Sequence, residues 1–251
     1  MMLQVLYLFK MSAPQAWGLG SFSSPHYQTH NRARLEHLAS LRLPLERRSV
    51  IELGSGPGDH TGFYVSRGCT VTAVDARQDC LDVLHERFPE VVTVRADLND
   101  VSALAHLGQF EVAHCYGILY HLEHPECMIS ALASVCSSLA IVETCVSPAD
   151  GLDVLLVDEF GEDYSQSVTN RGCRPTRRWV FRELGRHFRW VYVTRTQPDH
   201  PEFPLDWTGE FPGAGLIRSI YVASRTELKN PFLIDDVPSQ QEKYRPATDR
   251  V

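Results

Sequence analysis

Residues able to do chemistry concentrate in two short segments. The first, Val50-Ile51-Glu52-Leu53-Gly54-Ser55-Gly56-Pro57-Gly58-Asp59-His60, is an apolar run that breaks into alternating glycines. Glycine admits positive φ and lets a ligand approach the main chain, so strand, glycine turn and helix start in this order make a cradle for a nucleotide. A tight strand-to-helix connection without a ligand is the plain alternative. Asp75 ends the next apolar run, about 20 residues after the turn, where a carboxylate accepts hydrogen bonds from ribose hydroxyls. Asp97 follows the third run, placed either to meet an adenine amino group or to cap a helix.

The second segment is His114-Cys115-Tyr116-Gly117-Ile118-Leu119-Tyr120-His121-Leu122-Glu123-His124-Pro125. His121 is the candidate general base, because an imidazole titrates near neutrality; a histidine that merely organises the following loop is the competing reading. His114, inside the apolar run, reads as core. His121, Glu123 and His124 lack a distant further ligand, so no metal is assigned. Seven arginines fall between positions 171 and 189. Arg171 and Arg174 precede a helix in a polar stretch and are candidates for binding an acidic acceptor. The helical arginines read as a solvated face, and Tyr164, Gln166, His200 and Trp207 as further candidates for lining a pocket.

These residues need a scaffold, and the apolar runs supply one. Strand patterns at 49–54, 70–76, 91–97, 110–117 and 138–146 alternate with helix-length segments at 60–67, 77–87, 100–107 and 125–137. That rhythm predicts a parallel sheet covered on both faces. An amphipathic helix at 27–41, carrying Leu35, Leu38 and Leu41, precedes the series. After it come a polar stretch, a helix at 176–187, a strand at 189–195 and a last strand at 216–224 that reads as the second arm of a hairpin. The expected organisation is a leader over 1–26, one domain over 27–225 with a cap insertion at about 148–175, and a polar tail over 226–251. Whether the chain starts at Met1 or Met11 stays open. A length of 251 residues, 43% of them hydrophobic, suits one globular core. The formal charge of −7 offers no general attraction to nucleic acid or an anionic membrane. The seven cysteines contain no Cys-x-x-Cys pair and read as reduced thiols in a cytoplasmic protein.

The pattern Glu-x-Gly-x-Gly-x-Gly, an acid ending the second strand and an acid after the third resembles the class I S-adenosylmethionine-dependent methyltransferases. The resemblance implies an α/β, Rossmann-like sheet of seven mostly parallel strands with helices on both faces and a final antiparallel hairpin. It implies that Glu52, Gly54, Ser55, Gly56 and Gly58 surround the methionine part of S-adenosylmethionine. Asp75 with Ala76 would hold the ribose diol, Asp97 with Leu98 would frame the adenine, and Cys115 and Tyr116 would complete the cofactor site. The Gly117–Pro125 stretch is similar to the Gly-x-Leu-Tyr-His-Leu-x-x-Pro segment of several such enzymes, including tRNA wobble-uridine methyltransferases. The Asn/Asp-Pro-Pro-Tyr motif of many amino-group methyltransferases is lacking.

NAD is the competing nucleotide. Its Gly-x-Gly-x-x-Gly fingerprint needs glycine at position 59, which here is Asp59, and acids at a helix start disfavour pyrophosphate. The resulting expectation is a methyltransferase for a small-molecule acceptor, with a hydroxyl favoured. An RNA-modifying transferase and a non-catalytic cofactor-binding protein are the alternatives. S-adenosylhomocysteine is expected to bind and raise the melting temperature, NAD is not, and Asp75→Ala should weaken the interaction. Calorimetry checks this; tight NAD binding without S-adenosylhomocysteine binding would reverse the assignment.

Overall fold

The computed structural model describes residues 18–161, 163–209, 211 and 215–245. Five strands form the parallel part of its main sheet: β1 (Ser49–Leu53), β2 (Thr70–Asp75), β3 (Val92–Arg95), β4 (Phe110–Tyr116) and β5 (Cys136–Cys145). They run in the order β3-β2-β1-β4-β5, with Val50 opposite Val71 on one side and Val112 on the other. Side chains alternate between two cores. Ile51, Ala113, Val142 and Tyr221 face one cluster, whereas Val50, Val112, Ile141 and Ile220 face the other. Near-continuous apolar strands are what a sheet buried on both faces requires.

The helices that cover it are α1 (Pro25–Ser40), α2 (Thr61–Val65), α3 (Gln78–Arg87), α4 (Pro125–Val135) and α5 (Arg177–Gly185). Ser24 starts α1, its Oγ accepting from the Tyr27 N–H at 3.2 Å, with Pro25 in the first turn. Of the three leucines that suggested this helix, Leu38 and Leu41 are buried and Leu35 is only half-buried. Much of the remaining buried stripe is polar, His30, Asn31, Arg34 and His37, because this helix walls a cleft as well as a core. The helix expected at 100–107 contracts to a 3₁₀ turn, Val101–Leu104, capped by the Asp100 carboxylate on the Ser102 N–H.

The polar insertion folds as a hairpin of β6 (Val154–Asp158) and β7 (Arg171–Pro175), separate from the main sheet. After it come β8 (Trp190–Thr194), β9 (Thr196–Gln197), β10 (Arg218–Ser224), β11 (Leu233–Ile234) and β12 (Glu242–Lys243). β10 inserts between β5 and β8, antiparallel to both, which forms the expected closing hairpin. The sheet has eight strands rather than seven, because β11 pairs with the free edge of β8. The segment read as a polar tail thus covers a sheet edge with Leu233 and adds β12 beside β9. At the other terminus, residues 18–23 of the expected leader form a 3₁₀ helix with Phe22 buried, and residues 1–17 lie outside the described residues. Among the described residues no helix is long and apolar enough to cross a membrane, and the seven cysteines are unpaired.

The glycine turn is fixed by packing. At Gly58, φ is +86°, and a Cβ added there would stand 2.8 Å from Leu84 Cγ of α3. Gly58→Ala should therefore cost about 1–3 kcal/mol of stability. Gly185→Ala, whose new methyl meets nothing within 4 Å, should change it by less than about 1 kcal/mol. Urea denaturation compares the two, and equal effects would remove the Leu84 contact as a constraint.

Candidate active site

A cleft of about 920 Å³ opens at the carboxyl ends of β1, β2 and β4, where open α/β sheets place their ligands. On one side the turn after β1 leans on β2: Gly54 and Ser55 donate their N–H groups to Val74 O at 2.8 and 3.1 Å. The Gly56 N–H then donates to Asp75 Oδ2 at 2.8 Å, and the Arg77 N–H to Asp75 Oδ1 at 2.9 Å. These bonds fix the carboxylate at the rim, although burial raises its pKa above the usual aspartate value. Gly54, Ser55, Gly56, Asp75, Ala76, Asp97, Leu98 and Tyr116 all line the cleft.

Three residues implied for this end stand elsewhere. Glu52 is buried beneath the turn, where Thr61 Oγ1 donates to its Oε2 at 2.6 Å. Burial pushes its carboxyl up to about 8, so it is largely protonated near neutrality. Gly58 packs on Leu84, and Cys115 belongs to the core on the other face of the sheet. Asp59 lines the cleft, but Arg87 pairs with it at 2.8 Å. Of the acids invoked against pyrophosphate, Glu52 is thus neutral and Asp59 partly compensated.

His121 sits in a 3₁₀ turn, Leu119–His121, immediately after β4 and lines the cleft. Its Nδ1 is hydrogen-bonded to Glu159 Oε2, a residue contributed by the loop that joins β6 to β7. Among the described residues Nε2 takes no hydrogen-bond partner. Burial lowers the imidazole below its ordinary value, against the opposing pull of Glu159. For Glu159, burial acts upward, but the bonds from His121 and the Ser167 N–H, with the charge of Arg174, outweigh it and hold the carboxyl low. A neutral imidazole beside an ionised carboxylate follows, with Nδ1 as donor and Nε2 as the basic atom. Such a dyad fixes the tautomer and steadies the cation formed when the ring takes a proton.

Arg174, expected to bind an acceptor, instead holds this dyad. Its Nη1 bonds Glu159 Oε1 at 3.2 Å, Tyr120 O at 3.3 Å and Cys173 O at 2.8 Å. Arg171 lies 3.8 Å from Glu123, and neither arginine is among the cleft residues. Their position beside the cap gave no hint that acids of the same fold would engage them. Arg177, assigned to a solvated face, is buried against Trp207 and bonds Pro238 O. Trp207 in turn donates to Gln241 Oε1 at 2.8 Å. Tyr164 and Gln166 line the cleft as expected, and Tyr164 lies against Arg77, whose guanidinium also bonds the carbonyls of Gly161 and Gln166 at 3.2 Å.

Across the cleft, Glu143 lies fully buried in β5 between two guanidiniums. Arg34 reaches Oε2 from α1, and Arg218 reaches Oε1 at 3.0 Å from β10. Arg218 also bonds Glu202 Oε2 and donates to the Tyr120 hydroxyl at 3.1 Å. Sequence reasoning passed over Glu143, Arg218, Arg34, Glu159 and Glu202. The signal for the first two was present, since a charge inside a continuous apolar strand requires a buried partner.

Residues 50–139 match the family described as a methyltransferase domain. A ubiquinone biosynthesis O-methyltransferase of Thiobacillus denitrificans is 29% identical over 129 residues, 50% of this chain and 54% of its own length. An Escherichia coli protein of the same description is 24% identical over 196 residues, 76% of this chain and 80% of its own. The chain thus spans about half the length of most of the curated relatives it matches. Among solved structures, the N-terminal domain of EvdMO1, crystallised with S-adenosylhomocysteine and D-fucose, superimposes with a TM-score of 0.60 at 21% identity, covering 80% of this chain and 84% of that one. A magnesium protoporphyrin IX methyltransferase from Synechocystis gives 0.55 at 15%, covering 80% and 85%. The segment 50–139 is thus similar to methyltransferase domains, and the α/β fold is shared with the solved structures.

Glu143→Ala would leave two guanidiniums buried without their common partner. Stability should fall by about 3–5 kcal/mol. A loss under about 1 kcal/mol in chemical denaturation would show that Glu143 carries no such burden.

Proposed function

We propose that this chain is an S-adenosylmethionine-dependent methyltransferase that methylates a hydroxyl oxygen of a small-molecule acceptor. The observation that carries the oxygen assignment is the His121–Glu159 dyad, set in the wall of the same cleft as Asp75 and the glycine turn. The chemistry of the other rim suits the cofactor: Asp75 offers carboxylate oxygens to a diol, and Ala96, Leu98, Ile118 and Leu122 give apolar surface for a purine. The O-methyltransferase relatives and the cofactor product bound by the structural neighbours support the same reading.

Bound S-adenosylmethionine supplies a methyl carbon already activated by its sulfonium sulfur. The protein's part is alignment and proton removal. Asp75 and the Gly54–Gly56 turn would hold this cofactor, whose sulfur would leave with the electron pair of the carbon–sulfur bond as the acceptor oxygen takes the methyl. The hydroxyl proton passes to His121 Nε2, and Glu159 stabilises the imidazolium. Tyr120, whose ring lies 3.8 Å from that of His121, borders the acceptor side of the cleft. Glu159 engages Arg174, and Glu123 stands 3.8 Å from Arg171, which supports a small acceptor over RNA.

His121→Ala and Glu159→Gln should each lower kcat by about 10²–10⁴-fold while leaving S-adenosylhomocysteine affinity nearly unchanged. Because the His121 pKa is depressed, the base stays neutral at pH 7, and the acidic limb of the rate profile should fall below the ordinary histidine value of about 6.5. Incubation with labelled S-adenosylmethionine and a metabolite extract provides the acceptor for these assays. Wild-type turnover in both variants would remove the dyad from the mechanism.

A further inference from the structure

A second group of ligating side chains stands at the acceptor end of the cleft, where the function above uses none of them. His26 and His30 are four residues apart on α1 and so share one face of the helix. His200 and Glu202 come from the loop after β9. The rings of His30 and His200 are 4.8 Å apart, and those of His26 and His200 are 5.5 Å apart. One ligand atom each from His30, His200 and Glu202 falls within 4.8 Å of the others. Glu202 Oε1 lies 3.1 Å from His26 Nε2, and Glu202 Oε2 lies 3.8 Å from His30 Nε2.

The unsatisfied atom is His30 Nε2. Its side chain is 4% exposed, and this nitrogen has no hydrogen-bond partner, an arrangement that buried polar groups avoid. Arg34 and Arg218 are the guanidiniums nearest this imidazole. Both guanidiniums that would repel a cation are already engaged by Glu143 and Glu202. The main competing contact at His200 is a long 3.3 Å bond from the Glu202 N–H to its Nδ1.

A contrasting cluster, Glu52, His60 and His114, has similar composition. There each nitrogen is taken: Tyr64 hydroxyl to His114 Nδ1 at 2.8 Å, His114 Nε2 to His60 Nδ1 at 3.1 Å, and His60 Nε2 to Asn31 Oδ1 at 3.2 Å. That chain is a closed hydrogen-bond relay, whereas His30 Nε2 has no hydrogen-bond partner.

We propose that His30, His200 and Glu202 form a binding site for a divalent first-row transition cation such as zinc, open on its fourth side toward the cleft. Two imidazoles and one carboxylate are the donors such cations prefer, whereas magnesium and calcium favour oxygen alone. Three protein ligands leave a position for water or an acceptor oxygen. His26, His30 and Glu202 line the cleft, and His26, its side chain 69% exposed, is a further donor beside that position. Use of the cation to hold an oxygen-bearing acceptor rests on the transferase reading; the site itself does not.

Cobalt titration of the metal-stripped full chain tests it. One equivalent of Co²⁺ should give saturable visible bands of low coordination number, which Zn²⁺ abolishes. His30→Ala and His200→Ala should each weaken Co²⁺ binding by more than the roughly 10–100-fold typical of losing an outer partner. His200 is a partly exposed loop residue, so its variant keeps the test valid if His30→Ala fails to fold. His124→Ala, on an exposed histidine, should change nothing. Absence of the bands, or bands that survive both substitutions, would overturn the site. S-adenosylhomocysteine calorimetry on the same samples separates the two ideas: binding retained without a cobalt signal removes the metal site alone, and a cobalt signal without S-adenosylhomocysteine binding removes the transferase reading alone.

Discussion

The structure depends on how one buried carboxylate is compensated. Glu143 sits near the carboxyl end of β5 with no exposure, and an isolated charge there would cost several kcal/mol. It is met from two sides, by Arg34 of α1 and Arg218 of β10. These are the helix before the first strand and the last long strand of the sheet, so the ion cluster ties both ends of the domain to its middle. Arg218 extends the tie to Tyr120 and to Glu202. Buried pairs of this kind contribute little net stability compared with apolar packing, but separating them leaves an uncompensated buried charge. Their consequence here is positional: these charges hold α1, β5, β10 and the turn after β4 together on one side of the cleft.

A second carboxylate plays the corresponding part for the cap. Glu159 accepts from His121 and from the Ser167 N–H and pairs with Arg174. The loop that bears it is also held from the cofactor rim, since Arg77, two residues after Asp75, bonds the carbonyls of Gly161 and Gln166. The position of the cap and the tautomer of His121 are therefore one property. Glu159 thus links the loop between β6 and β7 to the orientation of the His121 ring.

What the amino-acid sequence determined alone was local. Strands β1 to β5 were legible because apolar runs have one energetic outcome between helix-length spacers, and the glycine turn because Gly54, Gly56 and Gly58 adopt backbone conformations that other residues resist. The ends of β2 and β3 located Asp75 and Asp97 for the same reason, since position along a parallel strand fixes which edge a side chain reaches. Boundaries erred where the cue was weak: the helix at 100–107 shrank to one turn, and Leu233 joined the sheet from a segment that reads as polar.

The acceptor end was decided only by the tertiary structure. Arg34 and Glu143 are 109 positions apart, Glu143 and Arg218 are 75, and His121 and Glu159 are 38. No periodicity links such residues, because the pairing is set by where the sheet order and the cap hairpin bring them. His30 and Glu202 were passed over for the same reason and His200 was read only as a pocket-lining residue, while Arg171 and Arg174 were overread: a run of arginines looks free until the acids that fold against it are known. Chain-local stereochemistry wrote the cofactor edge into the sequence, and burial of charge, which acts only in the assembled fold, chose the partners of everything opposite it.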